Sequence, residues 1–270
     1  MMMDFWEEIL GFTEKTTASI GMELLDNFGT VTAQQKTDGS LVTQCDQWAD
    51  QELHSAIQSA FPEHGILSEE GSQVFPANPW CWVLDPLDAT TNFTRGIPIW
   101  GISMGLLYQG TPVFGYVYLP PLDLSFHGFW QGESGLEMPK GAYLNYQEMH
   151  PSVDDPSGNH FFNLCSRSIS AAPQLKFMKI RMLGMATYNF LTVASGATLG
   201  GVEATPKIWD IAAAWVMVKA SGAVWLPLQT EPLFPLKVGE DYGKRSYPTL
   251  VLSRRELVPV FHPLVNQFGL

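Results

Sequence analysis

The chain has 270 residues, of which 46% are hydrophobic and 16% are charged, and its formal net charge is −12. This length suits one large domain or two packed halves around a buried core, and the composition excludes a disordered chain. The acidic balance and the lack of a Lys/Arg cluster argue against a nucleic-acid-binding protein, so no nucleic-acid partner is expected.

Cysteine and histidine usage narrows the class further. The three cysteines are widely spaced, and there is no C-x-x-C, H-x-H or H-E-x-x-H pattern, which argues against a disulfide framework or a zinc site. A cytoplasmic location and oxygen ligands for any metal are expected instead. The acidic N-terminus does not resemble a signal peptide and no apolar run reaches the length of a membrane span, so no membrane partner is expected.

Hydrophobic periodicity predicts a long amphipathic helix over residues 4–28 and a second helix over residues 46–60, with Asp46 as its cap. Between them, the turn signal Thr37-Asp38-Gly39-Ser40 is flanked by two short strands. The remaining strands predicted in this half are short and apolar. They cover residues 65–68, 80–84, 99–108, 113–119 and 125–130.

A polar stretch near residues 149–159 predicts a loop and a seam between two halves, residues 1–148 and 149–270. Strands are predicted after it over residues 161–165, 179–182, 224–226 and 249–252. Helices are predicted over residues 169–178, 186–195, 209–220 and 257–268. Strands occur both in consecutive runs and in alternation with helices, which predicts a mixed α/β (α+β) class with stacked layers.

Residues 85–88, Asp-Pro-Leu-Asp, are the most informative segment, because two carboxylates follow directly after an apolar strand. An Asp-Pro turn and an Asp helix cap are the ordinary alternative. Glu69, Glu70 and Asp210 also lie at a strand end or a helix start, which favours convergence of carboxylates on one cleft. Because Mg²⁺ prefers oxygen ligands and attracts phosphate, the pattern predicts a metal-dependent phosphatase.

Two hydroxyl-bearing segments are further candidates. Thr90 and Thr91 lie at a predicted helix start, where they either cap the helix or hold a phosphate. Residues 101–105, Gly-Ile-Ser-Met-Gly, match the nucleophile elbow of serine hydrolases. That elbow must pass from strand into helix, whereas the residues around Ser103 continue as strand, so a catalytic serine is disfavoured.

Taken together, these motifs resemble the inositol monophosphatase family, within the lithium-sensitive, Mg²⁺-dependent phosphatase superfamily. Residues 85–93 match D-P-[IL]-D-G-T-T-N-F at all but one position, and residues 209–213 match W-D-[IV]-A-[AG]. Residues 69–70 fit the family's Glu-Glu step, and residues 36–46 fit its K…V-T-x-x-D pattern. The resemblance implies a layered α-β-α-β-α sandwich of the inositol monophosphatase / fructose-1,6-bisphosphatase type, a homodimer and inhibition by Li⁺.

The resemblance also implies roles by position. Two or three Mg²⁺ ions would be bound by Glu69, Asp85, the backbone carbonyl of Leu87, Asp88 and Asp210. The catalytic residues would be Glu69, Thr90 and Asp46, with Asp46 orienting Thr90 and the other two positioning the attacking water. The substrate-binding residues would be Lys36, Asp88, Ala89, Thr90, Gly184, Ala186, Glu203 and Asp210.

The sequence departs from the family pattern at four positions. Ala89 stands where the family has Gly, so its methyl group would crowd the phosphate or strain the turn. Met182 replaces a Ser, Tyr146 replaces a turn Gly, and Leu199 replaces a polar residue near the substrate region. The metal ligands are complete, so metal binding is expected to survive.

The expected function is therefore Mg²⁺-dependent hydrolysis of a small polyol or sugar phosphate such as inositol monophosphate, a small-molecule partner. Two alternatives keep the fold. One is a phosphatase for histidinol phosphate, fructose bisphosphate or a nucleotide 3′-phosphate, and the other is a weakly active metal- and phosphate-binding homologue.

Overall fold

The computed structural model describes residues 2–37 and 39–265. Short 3-10 helices within these residues cover Pro120–Leu122, Ser166–Leu175 and Arg255–Leu257. The α-helices of the same residues are α1 (Met2–Asn27), α2 (Gln44–Ala60), α3 (Thr90–Thr94), α4 (Ala186–Ala194), α5 (Ile208–Ser221) and α6 (Val258–Val265).

The strands of the described residues form three sheets. The smallest is an antiparallel pair, β1 (Gln34–Gln35) and β2 (Leu41–Val42). The largest has seven strands, in spatial order β3 (Gly65–Ser68), β4 (Trp80–Asp88), β5 (Gly101–Tyr108), β6 (Thr111–Leu119), β7 (Leu124–Phe129), β8 (Gly141–Leu144) and β9 (Gln147–Glu148). The third has five strands, in the order β11 (Lys179–Arg181), β10 (Phe161–Leu164), β12 (Gly200–Glu203), β14 (Thr249–Leu252) and β13 (Val224–Pro227).

The seven-stranded sheet is antiparallel except at the edge where β3 runs parallel to β4, with Ser68 opposite Leu84. The carboxyl ends of two parallel strands meet at the same edge of a sheet. Glu69, which follows β3, and Asp85, which follows the stretch of β4 that pairs with β3, are thereby brought to the same end of the fold.

Helices cover both faces of each large sheet. α1 and α2 pack on one face of the seven-stranded sheet, and α4 and α5 lie between the two sheets. α6 and the 3-10 helix Ser166–Leu175 cover the outer face of the five-stranded sheet. The predicted α-β-α-β-α sandwich is therefore confirmed.

Small residues allow α5 to approach the seven-stranded sheet closely. A Cβ atom placed on Gly115 would lie 2.3 Å from the Ala213 carbonyl oxygen, and one on Gly105 would lie 2.9 Å from the Ala212 Cβ. A side chain at either glycine would force the helix away from the sheet. Since α5 also carries Asp210, this close packing sets the distance between the sheet and the backbone of that residue.

Most of the predicted elements are present with small shifts in their bounds. The prediction missed β8, β9 and β12, and it made three further errors. Helix α2 begins at Gln44 because Thr43, not Asp46, caps it. Strand β4 continues through residue 88, and the helix predicted over residues 169–178 is a 3-10 helix that contains Pro173.

Some predictions lie partly outside the described residues, namely Asp38 of the first turn and residues 266–268 of the last helix. The division of the chain at residues 148 and 149 stays a prediction. Ser103 lies inside β5 and is fully buried, which is consistent with its rejection as a nucleophile. Within the described residues, no helix has both the length and the apolar character needed to cross a membrane.

Candidate active site

An irregularity in β4 brings two carboxylates to the same side of the strand. In a regular strand, residues three positions apart point to opposite faces. The register between β4 and β5 shifts between Asp85, paired with Ser103, and Asp88, paired with Gly101. Pro86, which has no N–H to donate, lies in this irregular segment. The shift allows both carboxylates to reach one buried cluster.

The third carboxylate of the cluster is Asp210, in the first turn of α5. The Asp210 Oδ2 accepts a hydrogen bond of 2.7 Å from the backbone N–H of Lys207. One carboxylate oxygen each from Asp85, Asp88 and Asp210 lies within 4.8 Å of the others. Helix α4 supports the cluster through Thr187. The Thr187 N–H donates to Asp88 Oδ2 at 3.3 Å, and the Thr187 hydroxyl donates to the backbone carbonyl of Asp210 at 3.0 Å.

Glu69 follows β3 and lies beside this cluster, with its backbone N–H donating to the Leu84 carbonyl at 3.2 Å. Lys36 Nζ donates to Glu69 Oε1 at 2.9 Å and also to the Glu70 carboxylate. Lys36 thus contacts the two glutamates. Within the described residues, it does not line the cavities to which the other candidates belong.

Thr90 and Asp46 form a hydrogen-bonded pair. The Thr90 hydroxyl lies 2.8 Å from Asp46 Oδ1 and 3.2 Å from the Leu87 carbonyl. The other carboxylate oxygen of Asp46 accepts from the N–H of Thr43 at 2.7 Å and from its hydroxyl at 2.6 Å. Since Asp46 is buried and held on both oxygens, it can fix the orientation of the Thr90 hydroxyl.

Two adjoining cavities, each of about 350 Å³, contain the remaining candidates. Both include Asp88, Gly184, Thr205 and Asp210 in their walls. We call the first the acidic cavity, which is also lined by Glu69, Asp85, Leu87, Ala89 and Thr90. We call the second the side cavity, which is also lined by Leu164, Cys165, Met182, Met185, Ala186, Asn189, Glu203 and Pro206.

The carboxylates of the acidic cavity are buried and repel one another, so their charged forms are disfavoured without a cation. Burial raises the pKa of Asp88 to about 6, although hydrogen bonds from Thr187 oppose the shift. Burial, and then repulsion from Glu69, raises the pKa of Asp85 well above its usual value. Burial and the charge of Asp88 do the same for Asp210. These donors are all oxygens, so the site fits a hard divalent cation, which would favour their charged forms.

Ala89 has φ 72° and ψ 48°, in the left-handed region, immediately before α3. This conformation costs a residue with a Cβ atom about 1–2 kcal/mol, and glycine avoids the cost. Ala89 also lines the acidic cavity. The strain expected at this departure from the family pattern is therefore present in the backbone.

Of the other departures, Met182 lines the side cavity and Tyr146 occupies the turn between β8 and β9 with φ 63°. Leu199 was expected near the substrate region, and that expectation is wrong. Its side chain is buried in the apolar cluster between the five-stranded sheet and α6.

Sequence reasoning missed several residues of the two cavities. Arg167 and Lys207 line the acidic cavity, and Cys165 and Asn189 line the side cavity. Lys207 lies three residues before Asp210, at the start of α5, so its place beside a predicted metal ligand could have been inferred from the sequence. The other three residues are brought in from elsewhere in the fold and carry no local signal.

Comparisons with known proteins agree with this geometry. The model of the inositol monophosphatase family matches residues 6–258. The fructose-1,6-bisphosphatase/inositol-1-monophosphatase of Aquifex aeolicus is 30% identical over 238 residues, which cover 83% of this chain and 83% of that protein. The histidinol-phosphatase of Mycobacterium tuberculosis is 29% identical over 203 residues, covering 69% of this chain and 74% of that protein.

A solved structure of an inositol monophosphatase has the same fold. The IMPase of Thermotoga maritima has a TM-score of 0.81 and 25% identity, and the match covers 97% of this chain and all of that one (100%). The family match, the relatives and the shared fold lead to one conclusion: this chain belongs to the inositol monophosphatase family and is a phosphatase.

Proposed function

We propose that the protein is a Mg²⁺-dependent phosphomonoesterase that acts on small polyol or sugar phosphates, with inositol monophosphate as the first substrate to test. The observation that supports this most is the cluster of Asp85, Asp88 and Asp210, three carboxylates from two distant segments whose oxygens lie within 4.8 Å of one another. A buried group of acids without a cation would be costly, and binding a divalent cation removes that cost.

The family is metal-dependent, and the donor set supports Mg²⁺ in particular, because every donor is oxygen. Two or three ions, if bound as proposed, would stabilise charge on the phosphate and on the departing alcohol oxygen. The residues that would hold them are Glu69, Asp85, Asp88, Asp210 and the carbonyl of Leu87.

The catalytic roles proposed for the remaining residues concern the attacking water. The Thr90 hydroxyl donates a hydrogen bond to Asp46, so its oxygen lone pairs can accept a hydrogen bond from that water. The Glu69 carboxylate can accept a hydrogen bond from the other O–H of the water, since Lys36 occupies only part of its acceptor capacity. Two acceptors held in this way would aim the water lone pair at phosphorus, in line with the ester oxygen that departs.

The substrate-binding roles divide between the two cavities. Asp88, Ala89, Thr90 and Asp210 line the acidic cavity, where the phosphate would bind. Gly184, Ala186 and Glu203 line the side cavity, where the alcohol would bind. Lys36 would act through Glu69, which it contacts.

The identity of the alcohol has specific alternatives. The names of the relatives favour fructose bisphosphate and histidinol phosphate, and a nucleotide 3′-phosphate is a further candidate. The left-handed backbone at Ala89 supports a weakly active phosphate-binding homologue as the second candidate function.

Phosphate release from a panel of phosphorylated alcohols tests the proposal. We expect release with Mg²⁺, little release with a chelator, and little from Asp88→Asn at any Mg²⁺ concentration. The matched control is Asp26→Asn, which removes the same charge from the exposed side of α1 and should behave as wild type. Equal release in all conditions would refute metal-dependent catalysis, and no release from any ester would favour the weakly active homologue.

Several wider expectations stay predictions: a homodimer, a cytoplasmic location, Li⁺ inhibition, and the lack of nucleic-acid and membrane partners.

A further inference from the structure

Two of the proposed metal ligands lie on different elements that come from distant segments of the chain. Glu69 follows β3 at the edge of the seven-stranded sheet, and Asp210 lies in the first turn of α5. Burial, the charge of Asp88 and then the charge of Glu69 raise the pKa of Asp210, so Glu69 and Asp210 repel each other. Contacts that keep these two elements together must therefore act against this repulsion.

A short backbone pairing joins the segment after β3 to the loop between β13 and β14. Val74 forms an antiparallel bridge with Asp241, and beside it the Tyr242 N–H donates to the Gln73 carbonyl at 2.9 Å. Phe75 and Tyr242 are buried in the apolar cluster that also contains the buried side chains of α5, so the pairing is anchored in the core. We call the two paired segments the clasp: residues 73–75 and 239–243.

Gln73 connects one side of the clasp to Glu69. Its Nε2 donates to the backbone carbonyl of Glu69 at 2.7 Å. The same side-chain amide packs on Gly243, because a Cβ atom placed on Gly243 would lie 1.7 Å from Gln73 Oε1. The close contact at Gly243 therefore sets the position of the amide that holds the Glu69 backbone.

Lys207 connects the other side of the clasp to Asp210. Its Nζ donates to the Gly243 carbonyl at 2.8 Å, and its backbone N–H donates to Asp210 Oδ2 at 2.7 Å. Contacts therefore run without a break from one proposed metal ligand to the other. In order, they pass through Glu69, Gln73, Gly243, Lys207 and Asp210.

We propose that Gln73 and Lys207 are positioning residues, which act through the clasp to hold the two carboxylates at the spacing that a divalent cation requires. Mg²⁺ demands a nearly ideal octahedral arrangement with ligand distances of about 2.0–2.1 Å, so a small change in this spacing lowers its affinity. The inference rests on the proposed metal-dependent function and assigns two residues, neither of them a metal ligand, to the support of that site.

Calorimetric titration of Mg²⁺ into chelator-treated protein, without substrate, tests this inference. Gln73→Leu removes the amide, keeps a side chain of similar size and leaves the charge of the site unchanged. It should lower the Mg²⁺ affinity about tenfold, a loss typical of removing a group that orients a metal ligand. The matched control is Gln58→Leu, which makes the same change on the exposed side of α2 and should bind Mg²⁺ as wild type does.

Lys207 allows a test by the sign of the effect. A lysine that acted only as a charge beside the acidic cavity would repel Mg²⁺, so Lys207→Met would then tighten Mg²⁺ binding. Loss of the hydrogen bond to Gly243 predicts the opposite, a weakening of about tenfold. Lys207→Arg keeps the charge and a donor and should recover most of the loss. Lys15→Met, on the exposed side of α1, is the control for the lost charge.

The double variant Gln73→Leu with Lys207→Met tests whether the two residues act through the same clasp. It should bind Mg²⁺ about as weakly as either single variant, because each change alone already breaks the connection. Fully additive losses, unchanged affinity in Gln73→Leu, or tighter binding in Lys207→Met would overturn the inference. A wild-type protein that binds no Mg²⁺ is a different result, because it would refute the proposed metal-dependent function and this inference with it.

Discussion

The acidic cavity and the side cavity share part of their walls but are constructed differently. In the acidic cavity, regular elements position the carboxylates: a register shift in β4 positions Asp85 and Asp88, the parallel strand pair β3–β4 positions Glu69, and the first turn of α5 positions Asp210. The side cavity is assembled from segments far apart in the chain, including β12, α4 and the loop after β10. Short motifs therefore position each carboxylate of the proposed metal site within its own segment, whereas the residues of the side cavity carry no such local motif.

If this contrast is right, substitutions in the acidic cavity should reduce phosphate release the most. Asp210→Asn keeps an acceptor for the Lys207 N–H but removes one charge from the cluster. We expect Mg²⁺-dependent phosphate release to fall about a thousandfold, a loss typical of removing a key electrostatic group. Asp26→Asn serves as the control for loss of one charge, and near-normal activity of Asp210→Asn would contradict the proposed metal role.

The next largest effect is expected at the hydroxyl that would position water. Thr90→Val preserves the shape of the side chain and removes the donor to Asp46, so kcat should fall about a hundredfold. Thr90→Ser should recover most of the loss, because it restores the hydroxyl. Steady-state kinetics of the two variants provide the measurement, and equal activity of Val and Ser would show that the hydroxyl has no role.

The pH dependence of stability should differ with and without metal. The folded state raises the pKa of Asp88 from 3.8 to about 6, so the metal-free folded state binds more protons than the unfolded state. The metal-free protein should therefore gain stability from this group as pH falls through about 6 toward 4. Saturating Mg²⁺ favours the charged carboxylate, so the gain should disappear or reverse.

Chemical unfolding in chelator between about pH 7.5 and 5 measures this effect as the difference between wild type and Asp88→Asn, which cannot titrate at that position. A difference that does not change with pH would contradict the raised pKa.

A smaller effect on the Mg²⁺ requirement is expected from the hydrogen bonds that hold Ser68, the residue before Glu69. Ser68 is fully buried and its hydroxyl donates to Asp50 Oδ1, while the Ser68 N–H donates to the Ser72 carbonyl at 3.0 Å. Asp50→Ala removes the acceptor and should raise the Mg²⁺ concentration for half-maximal activity by about tenfold.

Asp50→Asn keeps an oxygen for Ser68 and should stay close to wild type. Metal titrations of activity compare the two variants. If Asn and Ala shift the Mg²⁺ requirement equally, the hydrogen bond does not position Glu69.

The smallest effect is expected at Ala89. Glycine at this left-handed position removes strain of about 1–2 kcal/mol and increases the entropy of the unfolded chain by about 0.4–1 kcal/mol. Ala89→Gly should therefore stabilise the protein by about 0.5–1 kcal/mol in denaturant unfolding. Destabilisation would show that the methyl group contributes packing that outweighs the strain.

The same contrast explains what the sequence predicted. The period of apolar residues predicted the long helix α1, and short apolar runs predicted β3 and β14 with their observed bounds. Strand β12 was missed because two of its four residues are glycines, which give no strand signal, although they allow close packing against β10 and β14. Local patterns therefore predicted the elements whose own residues form the core.

For the candidate site, motif spacing located the carboxylates but not the way they meet. A regular strand would separate Asp85 from Asp88, and the shift that unites them depends on pairing with β5. Arg167 and Asn189 could not be assigned, because their proximity to the cavities arises from packing between layers.

Calorimetric titration of Mg²⁺ into chelator-treated protein tests most directly whether carboxylates from separate segments form one metal site. Asp85→Asn is the decisive variant, because Asp85 is 1% exposed and retains an acceptor for the Leu87 N–H after the change. We predict saturable binding to wild type and to Asp26→Asn, and little or none to Asp85→Asn. Identical binding isotherms for the three proteins would contradict a metal site in the acidic cavity.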